Sequence, residues 1–88
     1  MSSVYITHIG KVPEEEWNQF LKACEVNVYL NECFIKLSER KNIIIWDQIP
    51  YTYDDLFKSN IETDLSMKIL DALEIAYNNQ EDFFWIYE

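Results

Sequence analysis

The side chains with the most chemical potential in this sequence are carboxylates, and they are concentrated in its second half. Residues 1–41 contain six acidic and five basic residues, whereas residues 42–88 contain ten acidic residues and two lysines. A helical projection with Ile69 at the centre of the core-facing stripe leaves a polar face on the opposite side. We expect that outward face to consist of Asp64, Met67, Asp71 and Glu74.

Further carboxylates flank this predicted helix on both sides. Asp54 and Asp55 precede it, and Glu81 and Asp82 follow it. The formal net charge of −9 repels nucleic acid and anionic membranes and attracts basic protein surfaces. An ordinary solvated helix face is the alternative interpretation, since exposed charges and an occasional exposed Met are common. The scarcity of neutralising cations in this segment favours a binding face.

Residue types that carry catalysis are few and poorly placed. His8 is the only histidine, and no carboxylate lies near it in sequence to orient it as a base. Cys24 and Cys33 lack metal-ligand spacing, so both are expected to pack as small hydrophobic side chains. Gly10 and Lys11 are followed by glutamates that would repel a phosphate at the helix start. We therefore predict no enzyme activity, no cofactor and no metal site.

Length and composition predict one compact domain over residues 1–88. The chain is 49% hydrophobic and 16% aromatic, which is enough apolar material for a core. The sequence contains no apolar run long enough to span a membrane and no N-terminal secretory pattern. Two cysteines without a disulfide framework fit a reducing compartment. These features predict a soluble protein of the cytoplasm, bacterial or that of a host cell.

Local patterns predict six elements of secondary structure. Clusters of β-branched and aromatic residues indicate strands, and Pro13 followed by acidic residues indicates a helix start. Two capping signatures, Thr52 with Asp55 and Ser59 with Glu62, indicate a second helical region in two parts. The expected elements are strand 4–9, helix 13–25, strand 26–37, a turn over 38–42, strand 43–46, a two-part helix from 52 to about 78, and strand 83–87.

This order predicts an α+β fold of the ferredoxin-like, split βαβ type. The βαββαβ pattern places two helices on one face of an antiparallel sheet. Its first and third strands are central, and its second and fourth strands are edges. The continuous apolar run 43–46 suits a central strand. The residues expected to share one core are Trp17, Phe20, Leu21, Ile44, Leu65, Ile69 and Leu73.

Two functions remain open from these observations. The leading hypothesis is a small acidic inhibitor that mimics nucleic-acid phosphates and blocks a basic nuclease or nucleic-acid-binding surface. A toxin-immunity protein and a phage anti-defence protein of the anti-CRISPR type both fit it. The alternative is a homodimeric regulatory or scaffold domain, in which Phe83, Trp85 and Tyr87 on an edge strand pair with a second copy. Neither hypothesis includes direct binding to nucleic acid or to a membrane.

Overall fold

The N-terminal strand formers fold into a hairpin. In the computed structural model, which describes residues 2–36 and 42–88, β1 (Ser3–Ile6) pairs antiparallel with β2 (Gly10–Pro13). The turn between them places His8 at a φ of 63° and Gly10 at a φ of 98°, a region that glycine adopts without steric cost. The predicted strand 4–9 therefore ends at Ile6, because the next residues form the turn.

The sheet has four antiparallel strands in the order β2-β1-β4-β3. β4 (Phe83–Tyr87) lies between β1 and the two-residue strand β3 (Ile43–Ile44). The expected strand order is therefore wrong in two places, since the last strand is internal and the strand from Ile43 is at an edge. The hairpin accounts for this difference, because β2 occupies one side of β1 and leaves its other side for β4.

The first two helical segments follow the hairpin without an intervening strand. α1 (Glu14–Cys24) begins directly after Pro13 and has three glutamates in its first turn, where the helix dipole favours negative charge. α2 (Val28–Leu30) continues into a π-helical segment, Asn31–Lys36. The predicted strand 26–37 is therefore wrong over 28–36. Its last residue and most of the predicted turn over 38–42 lie outside the described residues.

A side-chain cap explains why residues 28–36 are helical despite their strand-forming composition. The Asn27 side-chain oxygen accepts a hydrogen bond from the Leu30 backbone N–H at 3.0 Å, which starts the helix. Leu30 and Phe34 lie four residues apart, and both are fully buried. Burial of these two side chains outweighs the strand propensity of their neighbours, because strand propensity depends strongly on context.

The second helical region is divided in two as predicted, but neither predicted capping signature starts a helix: Thr52 lies inside the first part, and Ser59 follows its last residue. A 3-10 turn (Trp46–Gln48) leads into α3 (Ile49–Lys58), so this helix begins before the predicted start at Thr52. α4 (Asp64–Asn78) begins with a capping box in which the Thr63 and Ser66 side chains bond each other's backbone N–H groups. The residues between α3 and α4 include Asn60, whose φ of 58° helps to end α3.

An aromatic cluster forms the centre of the core. The Trp17 ring lies 5.4 Å from that of Trp85, and the Phe34 ring lies 5.0 Å from that of Phe20 and 6.5 Å from that of Phe83. The predicted core is confirmed except for Leu21, which is partly buried against it. No helix of residues 2–36 and 42–88 has the length and apolarity needed to cross a membrane.

Candidate partner-binding surface

The outward face of α4 is exposed as its helical periodicity predicts. Asp64, Met67, Asp71 and Glu74 are all exposed, and Met67 retains 66% of its accessible surface. The opposite face of the helix is buried through Leu65, Ile69, Leu73 and Ala76. Because a helix of 15 residues presents several turns to the core, its phase is well determined by the sequence.

A cleft between α3 and α4 brings two of the predicted carboxylates together. It has a volume of about 380 Å³ and takes Asp54 from α3 and Glu74 from α4. Apolar and aromatic side chains of the two helices form the rest of its lining: Ile49, Pro50, Tyr53 and Tyr77. A cation in this cleft would meet carboxylates from both helices beside aromatic ring faces.

Two stacked ring pairs hold the aromatic residues of this region in place. The Trp46 and Tyr77 rings are 5.6 Å apart with an interplanar angle of 14°, and those of Tyr53 and Phe57 are 6.3 Å apart at 9°. The Trp46 indole N–H donates to the Tyr77 backbone carbonyl at 3.0 Å. This bond ties the 3-10 turn to α4 beside the part of the cleft wall that Tyr77 forms.

An apolar strip lies on the same helix pair, nearer the turn that joins the two helices. Met67 and Phe57 line a second groove of about 480 Å³ with Leu70 and Ile61, and the carboxylates of Glu62 and Asp64 also line it. Phe57 retains 65% of its accessible surface and Met67 retains 66%. Met67 therefore has both apolar side chains and carboxylates around it.

The carboxylates on the outward face of α4 form no ion pair within the described part of the chain. Asp64, Asp71 and Glu74 form no ion pair with any residue of 2–36 or 42–88. Asp54 does have a partner, because its Oδ2 lies 2.9 Å from Lys58 Nζ. The Asp54 hydrogen bond and charge raise the pKa of that lysine. The uncompensated negative charge of this surface therefore comes mainly from α4.

Three of the predicted partner-binding residues lie elsewhere or have structural roles. Asp55 is half-buried on α3 near Cys33, where burial raises the thiol pKa and the Asp55 charge raises it further. Asp82 Oδ1 accepts a hydrogen bond from the Trp46 backbone N–H at 2.7 Å and so holds the 3-10 turn. The structure does not bring these two carboxylates onto the α4 face.

Glu81, the third of these residues, contacts the hairpin turn. Its Oε1 lies 2.8 Å from His8 Nε2, which joins two residues 73 positions apart in the chain. The sequence contains no local signal for this pair, because the hairpin turn that presents His8 next to the end of α4 depends on the tertiary fold. The pair is solvent-exposed, and it lies away from the cleft.

The aromatic residues of β4 lie mainly inside the domain. Phe83 and Trp85 are fully buried in the core, and the Tyr87 hydroxyl accepts a hydrogen bond from the Trp17 indole N–H at 2.9 Å. The edge position assumed for Phe83, Trp85 and Tyr87 is therefore wrong. The opposite side of the sheet carries Tyr5 and Ile86, which pair across β1 and β4 and are both exposed.

Both thiols are free and are kept protonated by their surroundings. Burial, with a contribution from Cys33, raises the pKa of Cys24 to about 12. The Cys33 Sγ lies 3.7 Å from the Thr52 hydroxyl oxygen. A protonated thiol is a weak nucleophile and a weak metal ligand. Within the part of the chain that the structure describes, no three His, Cys, Asp or Glu side chains are grouped to hold a metal ion.

Comparison with known proteins leaves the surface itself as the basis for assigning a function. No family model, curated protein or solved structure matches this chain. The α3–α4 surface combines carboxylates of α4 that form no ion pair among the described residues, stacked aromatic rings and exposed apolar side chains. Such a surface can bind a group that is both positively charged and partly apolar, which is the character of an Arg- and Lys-rich protein surface.

Proposed function

We propose that this protein is a small acidic inhibitor that blocks a basic nuclease or nucleic-acid-binding surface of a partner protein. The observation that supports it best is the outward face of α4, where Asp64, Asp71 and Glu74 are exposed and form no ion pair with any residue of 2–36 or 42–88. Carboxylates in this arrangement take the positions of phosphates on the partner's Arg and Lys side chains. The protein acts by binding, and no catalytic step is required of it.

The spacing and surroundings of these carboxylates support the same function. From Asp64 to Asp71 the helix rises about 10 Å, close to the axial rise of three nucleotides on one nucleic-acid strand at roughly 3.4 Å each. The neighbouring strip of Met67 and Phe57 adds dehydrated contact, which charge alone does not supply. Such a surface would fit either a toxin-immunity protein or a phage anti-defence protein of the anti-CRISPR type.

The cytoplasm of a bacterium or of its host is the compartment that we propose for this activity. Effector nucleases and defence complexes act there on nucleic acid. The two free thiols, Cys24 and Cys33, are compatible with a reducing compartment.

A binding experiment tests the proposed function in two stages. Copurification with mass spectrometry should identify a basic nucleic-acid-binding or nuclease partner, and its capture should weaken as salt rises from about 0.05 M to about 0.5 M. Surface plasmon resonance should then give slower association and a flatter salt dependence for Asp71→Asn, but a faster dissociation for Met67→Ala.

The matched control is Glu25→Gln, which removes one exposed carboxylate directly after the C-terminal end of α1. It changes the net charge by the same amount as Asp71→Asn. If Glu25→Gln and Asp71→Asn slow association to the same extent, the α4 face is not the binding site. A captured partner whose binding is insensitive to salt would overturn the acidic-inhibitor function itself.

A homodimeric regulatory or scaffold domain is the second candidate. In this candidate two copies pair through the exposed face of the sheet, because the strand edge expected from the sequence is internal. The Tyr5 and Phe84 ring centroids are 6.4 Å apart on this face, and Ile86 beside them is 50% exposed. Lys11 Nζ and Glu88 Oε1 lie 3.4 Å apart, so this ion pair adds no net charge. Because each chain carries a net charge of −9, added salt should strengthen such a dimer. Sedimentation velocity of the parent and of Ile86→Lys at two salt concentrations tests it.

A further inference from the structure

We propose that the α3–α4 cleft is an arginine-selective subsite that receives one arginine side chain of the basic partner. The guanidinium group would lie between the carboxylates of Asp54 and Glu74, with its plane against the ring of Tyr77. This subsite deepens the proposed function and rests on it for the identity of the partner. Its selectivity for arginine is a separate property that can be measured without the partner.

The lining of the cleft matches the chemistry of a guanidinium group. Asp54 and Glu74 reach it from different helices, and Tyr53 and Tyr77 add aromatic side chains. Guanidinium is planar, stacks on aromatic rings and donates two parallel hydrogen bonds to a carboxylate. An ammonium group is compact and more strongly hydrated, so it gains less from the rings. The site therefore favours arginine over lysine at equal charge.

Two neighbouring grooves have a different lining. The groove between the N-terminal ends of α1 and α4 has the carboxylates of Glu15, Glu16 and Asp64 but no aromatic side chain. The groove along Met67 and Phe57 has the carboxylates of Glu62 and Asp64 but a single aromatic side chain, Phe57. The α3–α4 cleft differs from both in combining one carboxylate from each of two helices with two tyrosine side chains.

Lys58 is the internal competitor for this subsite. Its Nζ lies 2.9 Å from Asp54 Oδ2, one helical turn away on α3. The lysine side chain is 71% exposed, and such solvent-exposed pairs contribute little because water and salt screen them. An incoming guanidinium can displace the lysine into solvent or share the carboxylate with it. Glu74, which has no ion pair among the described residues, supplies the second carboxylate without competition.

Trp46 provides a built-in reporter for occupancy of the cleft. Its ring stacks on Tyr77 and is 37% exposed, whereas Trp17 and Trp85 are fully buried. A ligand that stacks on Tyr77 should therefore change the emission of Trp46 and leave that of the two buried indoles largely unchanged. Backbone amide shifts of residues 74–77, measured by NMR, would locate the same event independently.

The experiment titrates the parent protein with two synthetic peptides of equal length and charge, one with three Gly-spaced arginines and the other with three Gly-spaced lysines. Trp46 emission and amide shifts report binding at low salt. We expect the arginine peptide to bind several-fold more tightly. Glu74→Gln should weaken binding of the arginine peptide by roughly threefold or more and reduce the preference. Asp71→Asn changes the net charge by the same amount as Glu74→Gln, but at a residue that does not line the cleft. It should weaken binding of both peptides to the same extent and leave the preference for arginine intact.

Variants of Tyr77 separate the ring from the charge. Tyr77→Leu removes the aromatic face without changing the net charge, and it should reduce the preference for arginine. Tyr77→Phe retains the ring and should retain the preference. The Trp46 hydrogen bond goes to the Tyr77 backbone, so both variants preserve its acceptor. Thermal melting of each variant identifies any loss of folding, and amide shifts replace Trp46 emission if the stacking itself changes.

Equal binding of the two peptides, or a preference that survives Glu74→Gln and Tyr77→Leu, would overturn the subsite. The proposed function would still stand if a basic partner binds through Asp71 and Met67. Conversely, a clear preference for arginine without any basic partner would support the subsite and remove the inhibitor function. Binding of neither peptide, with no change at residues 74–77, would also reject the subsite.

Discussion

Asn27→Ala should remove the cap that starts α2 and destabilise the whole domain. The Asn27 side-chain oxygen accepts from the Leu30 N–H at 3.0 Å, and its Nδ2 donates to the Ser59 hydroxyl oxygen at 3.0 Å. Loss of an N-cap costs about 1 kcal/mol, and loss of the second hydrogen bond costs about as much again. The free energy of unfolding should fall by about 2 kcal/mol. For a domain of this size, that corresponds to a decrease of roughly 8 to 16 °C in Tm.

Urea unfolding followed by tryptophan fluorescence and circular dichroism measures this change. Asn27→Asp keeps the cap acceptor but removes the donor to Ser59, so it should lose about half as much stability as the alanine variant. Asn18→Ala, at an exposed position of α1, is the control and should change stability by less than about 0.5 kcal/mol. An alanine variant at position 27 as stable as the parent would refute the capped helix over 28–36.

Three other predictions follow from the core. Ile69→Ala should destabilise the domain by about 2 to 5 kcal/mol, and Ile69→Leu by less than about 1.5 kcal/mol. Urea unfolding measures both, and an Ile69→Ala midpoint equal to that of the parent would contradict the burial of this face of α4. Because the pKa of Cys24 is raised to about 12, its protonated thiol favours the folded state below the ordinary thiol pKa. That stability should be lost as pH rises toward 12, and Cys24→Ala should flatten the alkaline decline. Trp85→Lys buries a charge in the core and should abolish folding by circular dichroism, whereas a folded variant would place Trp85 at the surface.

The parts of the fold that the sequence predicts correctly are those with long, regular patterns. α4 presents buried residues at helical spacing over 15 residues, so its buried face and its outward carboxylates follow from periodicity. The division before α4 follows from capping chemistry, although the capping pair proved to be Thr63 with Ser66. The antiparallel α+β class follows from the balance of strand and helix patterns, and the structure confirms it.

The errors lie where short segments depend on tertiary contacts. Val28, Tyr29 and Ile35 favour strands intrinsically, but the Asn27 cap and the burial of Phe34 make their segment helical. The strand order then changes as a consequence. Without a strand over 26–37, β1 finds its neighbour in the hairpin, and β4 takes an internal place. Predicting a strand over 26–37, where the chain is helical, therefore led to the prediction that β4 is an edge strand, although it is internal.

The sequence predicts the carboxylates of the candidate site but not its aromatic wall, because the wall depends on tertiary contacts. Its carboxylates lie on the regular helix α4, whereas its aromatic wall depends on how α3 packs beside that helix. Tyr53 and Tyr77 are 24 positions apart, and the ring of Trp46 reaches Tyr77 from the 3-10 turn. The density of aromatic residues over 46–57 is the one sequence signal that pointed to this wall. It does not identify which ring faces the cleft.

The placement of charge and apolar groups on α3 and α4 predicts a division of labour in binding. Exposed carboxylates such as Asp71 act over about a Debye length and mainly speed encounter, because screening by salt leaves their contact contribution small. Met67, Phe57 and the stacked rings act only after contact, by excluding water, so they govern dissociation. A surface with charge alone would release its partner quickly at physiological salt. If the proposed function is correct, the adjacency of the two kinds of group should give slow dissociation of the partner in addition to fast association.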